Sequence, residues 1–140
     1  MSTGNSRPRL RAIVHTGDAV RDKGGLVRLP PDCCITRHFF GEGAPFLWEH
    51  GRPIGRARAL WMKPERIVAE LEFDADDKFA MKIYGHYRSG RLTDFSIAWS
   101  ARFDEPADGV RAASLWTLME ISAVNKGRNG ACRVLHCGPS

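Results

Sequence analysis

Residues Ile67 to Phe73 repeat with period two: Ile67, Ala69, Leu71 and Phe73 fall on one side, Glu70 and Glu72 on the other. Successive side chains of an extended chain point to opposite faces, so this pattern predicts a strand with one face in a core and one toward water. The same period recurs. Leu10, Ala12 and Val14 alternate with Arg11, Ile13 and His15. Ile54, Arg56, Arg58 and Leu60 alternate with Gly55, Ala57, Ala59 and Trp61, and Lys63-Pro64-Glu65-Arg66 turns that strand into the Ile67–Phe73 strand as a hairpin. The small residues on the second of those faces suit a place where something packs closely. Leu26 to Leu29 is a short strand stopped by Pro30-Pro31. Leu92–Ala101, Ala112–Val124 and Cys132–Leu135 complete the set.

Helical spacing is firm in one place. Phe79, Ala80, Ile83, Tyr84 and Tyr87 share one face of a helix expected over Asp77–Arg88, begun by Asp74 or Asp76 and stopped at Ser89-Gly90. That aromatic stripe reads as core, and His86 points away from it toward solvent. Asp32 is placed to cap a helical turn from Cys34 to Phe40, ended by Gly41 and Gly43. Turn chemistry marks Gly17-Asp18, Asp22 to Gly25, the loop Phe103–Val110 and Lys126 to Gly130. Strands and helices do not alternate, which argues against a parallel doubly wound sheet. The expected fold is mainly β (α+β): an antiparallel, barrel-like sheet with few helices packed outside.

At 140 residues the chain makes one domain with a sizeable core. The expected organisation is a mobile tail over 1–9, the domain over 10–135 and a second tail over 136–140. The first residues carry no apolar secretory segment, and no apolar run approaches the ~20 residues a membrane helix needs, so a cytoplasmic location without a membrane partner is expected. The net charge of +5 would suit nucleic acid or an acidic protein. The 21 Lys and Arg are dispersed, however, and the densest cluster, Arg52, Arg56 and Arg58, lacks interleaved aromatics, which argues against nucleic-acid binding as the main function. Cys33 and Cys34 are adjacent, and Cys132, His136 and Cys137 contain no C-x-x-C pair. Reduced thiols without a metal are expected. No nucleotide or phosphate fingerprint is present, so no cofactor is expected.

Three stretches carry candidate chemistry. Phe46-Leu47-Trp48 delivers Glu49-His50, after which Gly51 and Pro53 break the chain. A histidine at the end of a buried segment has a fixed backbone and a ring free to face a cleft, which suits a general base; it equally suits a strand-end histidine bonded to backbone. Ser96 lies mid-strand between Phe95 and Ile97, so its hydroxyl faces away from the core, as either a rigidly held nucleophile or a small tolerated residue. Glu120 sits between Met119 and Ile121, where an acid must be outward or paired, with an arginine such as Arg56 or Arg58 as one option. Ser122 shares its face, and Glu49 points oppositely to His50.

Trp48-Glu49-His50 followed by Pro53-Ile54-Gly55, then Leu92 to Trp99, then Leu118 to Val124, resemble in order the segments of the prohead proteases of tailed bacteriophages, serine peptidases that mature capsids. The resemblance runs from about Val14 to Val134, and that family is related in fold to herpesvirus assemblin. It implies an assemblin-like fold with His50 as base, Ser96 as nucleophile and Glu120 as third triad member; Ser122, two residues on and on the same face, is placed to support Glu120. Gly127-Arg128-Asn129 stands where assemblin has its oxyanion loop, making Arg128 and Asn129 candidate donors. Prohead proteases more usually have Pro-Ala-Asn there, so Gly127 and Arg128 depart from the pattern, and a solvated turn is the other reading. The implied substrates are the major capsid protein and scaffold segments inside a prohead in the host cytoplasm, with self-cleavage. A homo-oligomer is left open. The alternative is a catalytically silent capsid-assembly or scaffold-binding module of the same fold.

Overall fold

In the computed structural model, residues 8–22, 25–36, 43–103 and 109–138 are described. In chain order the elements are β1 (Arg9–Thr16), β2 (Val20–Asp22), β3 (Gly25–Arg28), a 3-10 turn (Pro31–Cys33), β4 (Cys34–Ile35), β5 (Ala44–Trp48), β6 (Arg52–Met62), β7 (Arg66–Phe73), α1 (Lys78–Arg88), β8 (Phe95–Phe103), β9 (Val110–Ala123) and β10 (Arg133–Gly138). Among the described residues the protein is mainly β with a single α-helix, as the alternation predicts.

All ten strands belong to one sheet, ordered β10-β1-β7-β6-β5-β9-β3-β2, with β4 and β8 also paired to β9. The order does not close into a barrel, and the pairing is mixed rather than purely antiparallel. β3, β4 and β5 each run parallel to β9, while the other pairs are antiparallel. Parallel neighbours need long crossovers. Here β9, arriving late in the chain, lies against strands made from the first 48 residues.

β7 lies between β1 and β6, and Ile67, Ala69, Leu71 and Phe73 are fully buried, as their period requires. Glu72 departs from its outward assignment. It is 6% exposed, because Arg58 Nε donates to its Oε1 at 2.9 Å and Arg9 Nη2 lies 3.6 Å from Oε2. β6 departs as well, since an extra residue at Arg58 shifts its register with β7. Ala57 therefore faces Leu71 and the core, whereas Ala59 stands opposite Glu70. The close approach expected of the small residues falls at Gly55, where a Cβ would stand 1.9 Å from the Glu72 carbonyl oxygen.

α1 begins at Lys78, capped by Asp77 rather than by Asp74 or Asp76. The Asp77 side chain accepts a hydrogen bond from the Phe79 N–H at 2.9 Å, and Ala80, Ile83, Tyr84 and Tyr87 are buried. Tyr84 meets Phe73 at 5.0 Å between ring centroids, and Tyr87 stacks on Phe95 at 4.7 Å. The helix thus clamps the start of β8.

Several boundaries move. Cys34–Ile35 is a strand on β9 rather than a helical turn capped by Asp32, and the rest of that expected turn lies outside the described residues. The C-terminal tail expected from 136 is strand through Gly138, where Arg9 pairs with Gly138, and Arg9 likewise belongs to β1 rather than to a tail. Most of the expected N-terminal tail and of the Phe103–Val110 loop falls outside the described residues.

Candidate functional site

β5 pairs in parallel with the end of β9, with Leu47 opposite Ser122 and Trp48 opposite Ala123. It stops there because Glu49 and His50 take left-handed backbone, with φ of 48° and 60°. Non-glycine residues adopt that conformation at a cost of about 1–3 kcal/mol each and keep it only where the surroundings enforce it. The enforcement is visible. The Glu49 N–H donates to the Ala123 carbonyl at 2.9 Å, the Gly51 N–H to the Trp48 carbonyl at 2.9 Å, and the Asn125 N–H to Glu49 Oε2 at 2.8 Å. His50 is therefore carried by a tight turn, not by a strand end, and Glu49 pins that turn rather than orienting the imidazole.

Across the β8/β9 pair, Ser96 stands opposite Ser122 and Ala98 opposite Glu120, while Phe95 and Ile97 stand opposite Ala123 and Ile121. Residues opposite one another share a face, so Ser96, Ser122 and Glu120 project together, away from the buried Phe95 and Ile121. One more register shift makes this work. β9 carries an extra residue, Met119, opposite the Ala98/Trp99 step. A bulge of this kind re-aims the side chains beyond it. Leu118 is consequently buried in the core although it lies only two residues from Glu120.

The three polar groups meet. His50 Nε2 is 3.1 Å from Ser96 Oγ, and His50 Nδ1 is in close hydrogen-bond contact with Glu120 Oε1. Ser122 Oγ lies 2.8 Å from Glu120 Oε2 and 3.0 Å from the His50 backbone nitrogen. The Glu120 side chain is 11% exposed and the His50 side chain 42%. An unpaired carboxylate in the position of Glu120 would carry a large desolvation cost, which its two hydrogen-bond partners offset. The ion-pair partner of Glu120 is His50, and its other oxygen meets Ser122, rather than Arg56 or Arg58. A serine hydroxyl, an imidazole and a carboxylate in series can activate an oxygen nucleophile for acyl transfer.

Ser96 and His50 open onto a cleft of about 390 Å³ whose walls include Leu29, Ile97, Trp99, Arg128 and Asn129. The loop candidates thus border the same cleft as the hydroxyl. Gly127 fixes how they approach, because a Cβ there would sit 2.5 Å from the Phe95 carbonyl oxygen, and its N–H donates to Asp94 Oδ2 at 2.8 Å. Only glycine lets the loop lie this close to β8. The Asn129 side chain ties the loop to β1, since its Nδ2 donates to Thr16 Oγ1 at 2.8 Å and its Oδ1 accepts from the Ala131 N–H at 3.1 Å. Thr16 Oγ1 in turn donates to Asp18 Oδ2 at 2.9 Å. Gly127→Ala is expected to displace the loop from β8 while the bulk of the fold survives and, if the cleft is catalytic, to lower turnover roughly 10- to 100-fold. Steady-state kinetics beside a thermal melt checks this, and unchanged kinetics would show that the loop takes no part.

Sequence reasoning misses His15, which also borders the cleft. The pairing of β1 with β7 skips Val14, so His15 joins the face of Ile67, opposite to that of Ile13 and Val68. His15 is 3% exposed, donates from Nε2 to the Leu29 carbonyl at 2.7 Å and meets Trp116 edge-on at 5.1 Å. Burial lowers its pKa, against smaller raising effects from the Leu29 carbonyl and Asp18. A base whose folded pKa is depressed is protonated first in the unfolded chain. Its contribution to stability is therefore intact above the ordinary histidine value of about 6.5 and is eroded as pH falls below it. The urea midpoint is expected to drop between about pH 7.5 and 5.5, and His15→Gln, whose amide can still donate to Leu29, should flatten that dependence. An unaltered slope in the variant would exclude His15 as its source.

The cysteines are elsewhere. Cys132 is buried, its thiol pushed by burial up to about 12, while His136 on β10 is exposed. Among the described residues no three His, Cys, Asp or Glu side chains gather as a metal site would require, and no helix is long and apolar enough to cross a membrane. No protein-family model matches the chain, and no curated protein or solved structure matches it.

Proposed function

We propose that the protein is a serine endopeptidase with Ser96 as nucleophile, His50 as general base and Glu120 as the residue that orients His50. The observation that carries this reading is the unbroken series Ser96 Oγ, His50 Nε2, His50 Nδ1 and Glu120 Oε1, assembled from three distant stretches of chain. In the reaction, Ser96 Oγ attacks the carbonyl carbon of the scissile peptide and its proton passes to His50 Nε2. Glu120 stabilises the imidazolium so formed. Collapse of the tetrahedral intermediate breaks the C–N bond, and the proton leaves on the departing amine. Water, deprotonated by the same imidazole, then releases the acyl group and restores Ser96. The negative charge on the intermediate's oxygen calls for donors in the cleft wall, and the backbone around Arg128 is the candidate there.

The resemblance to prohead proteases extends the proposal to the substrates: capsid and scaffold segments cut during maturation, including the protein's own chain. The test has two parts. Diisopropyl fluorophosphate should form a phosphorus–oxygen bond at Ser96 with loss of fluoride, located by mass spectrometry of the digested protein. Co-expression with a major capsid protein should yield fragments that are absent with Ser96→Ala. A protein that neither reacts at Ser96 nor trims the capsid protein would be the silent assembly module instead.

A further inference from the structure

Ser122 is wholly buried, and its hydroxyl touches two members of the site at once. A hydroxyl has one proton to give and lone pairs to receive with. The His50 backbone N–H can only donate, so at 3.0 Å Ser122 Oγ must accept from it. The single Ser122 proton is then committed to Glu120 Oε2 at 2.8 Å. With Oε2 accepting from Ser122, Oε1 accepts from His50 Nδ1–H. The proton of the neutral imidazole is thereby placed on Nδ1, and the Nε2 lone pair is left to face the Ser96 hydroxyl. The ring closes on itself: His50 backbone to Ser122, Ser122 to Glu120, Glu120 to the His50 ring.

From this closed circuit we infer that Ser122 is a positioning residue that fixes the direction of the hydrogen bonds joining Glu120, His50 and Ser96 and locks the left-handed backbone of His50. The inference rests on the proposed catalytic reading for its effect on rate, although the circuit itself does not depend on that reading. Neutral hydroxyls at such a place act by geometry: displacing the imidazole by about 1 Å is enough to cost roughly 10²-fold in rate. Loss of the Ser122 hydroxyl removes the partner of an N–H in a strained turn and frees the carboxylate to rotate. Both motions carry Nε2 away from Ser96.

Two readouts test this. The first is the rate at which diisopropyl fluorophosphate modifies Ser96, which needs no knowledge of the natural substrate. The second is the low-field proton resonance of His50 Nδ1–H in the unreacted protein. Ser122→Ala is expected to fold, to react about 10- to 100-fold more slowly at Ser96, and to lose the low-field resonance to exchange. Ser122→Thr, which keeps the hydroxyl, should recover both. If Ser122→Thr does not fold, the two readouts on Ser122→Ala decide alone. A Ser122→Ala protein that reacts at the parent rate with its low-field resonance intact overturns the inference while leaving Ser96 as nucleophile. Equal losses in a folded Ser122→Thr overturn it as well, since the hydroxyl would then not be the cause. Should the parent fail to react at Ser96 while the resonance still disappears in Ser122→Ala, the catalytic reading fails and the positioning of His50 by Ser122 stands.

Discussion

Ser96→Ala is expected to reduce turnover by about 10⁶-fold, leaving only the slow background that binding and polarisation of the carbonyl supply. The fold should be indifferent. Ser96 is half-buried, and its packing duty belongs to its neighbour Phe95, which stacks on Tyr87. Removing one oxygen there breaks no core contact, so the melting temperature should stay near the parent's. A triad of the proposed kind acts as a unit, so His50→Ala should cost nearly as much, and combining the two should cost little more than either alone. Turnover of a cleaved capsid-protein peptide, measured at saturation for the two single variants and the double, decides the matter. Losses that multiply in the double variant would mean that Ser96 and His50 act separately, and the reading would be wrong.

Glu120→Gln should follow with a loss of roughly 10 to 10⁴ in turnover and an intact fold. The amide matches the carboxylate in shape, so the consequence comes from charge and from hydrogen-bond direction. Both Glu120 oxygens accept, one from His50 and one from Ser122. An amide has one accepting end. If its oxygen faces His50, its NH2 meets a Ser122 hydroxyl that was itself donating. If its NH2 faces His50, Nδ1 must accept, the ring proton moves to Nε2, and the base is pointed the wrong way. In neither orientation is there a negative charge to stabilise the imidazolium. Glu120→His should be partly active, since a neutral imidazole there can still accept from His50 Nδ1–H. The pH-independent rate of each variant is the measurement, and a Glu120→Gln protein at the parent rate would remove Glu120 from the mechanism.

The strands with clean alternation are legible in the sequence, as is the helix over Lys78–Arg88, because each pairs a periodic apolar face with a visible start or stop. His50, Ser96 and Glu120 stand out from their local settings. What does not show are the places where a strand gains a residue against its neighbour, Val14, Arg58 and Met119 among them. A bulge belongs to a pair of strands, not to one, and each reverses the faces beyond it. For that reason alternation alone leaves His15 out of the site, misassigns the faces of β6, and gives no sign that Leu118 and Glu120 lie on opposite sides. The turn at Glu49-His50 is hidden for a different reason. Left-handed backbone is ordinarily announced by glycine, and here Gly51 comes one residue too late. The burial of Glu72 depends on Arg58 and Arg9, both beyond any local window of sequence.

The parallel lodging of β5 against β9 has a consequence in time. His50 and Ser122 are 72 residues apart, and the turn that carries the histidine is held by atoms at the far end of β9. Contacts of such long range form late, because the loop between them must first be closed. A chain emerging from the ribosome can therefore complete β6, β7 and the helix while still unable to hold His50 in place. Ser96 and His50 come together only once residues beyond 120 have been made and docked. On the proposed reading, a protein built this way would stay inert as a nascent chain, and its first opportunity to cut anything would come after nearly the whole chain has folded.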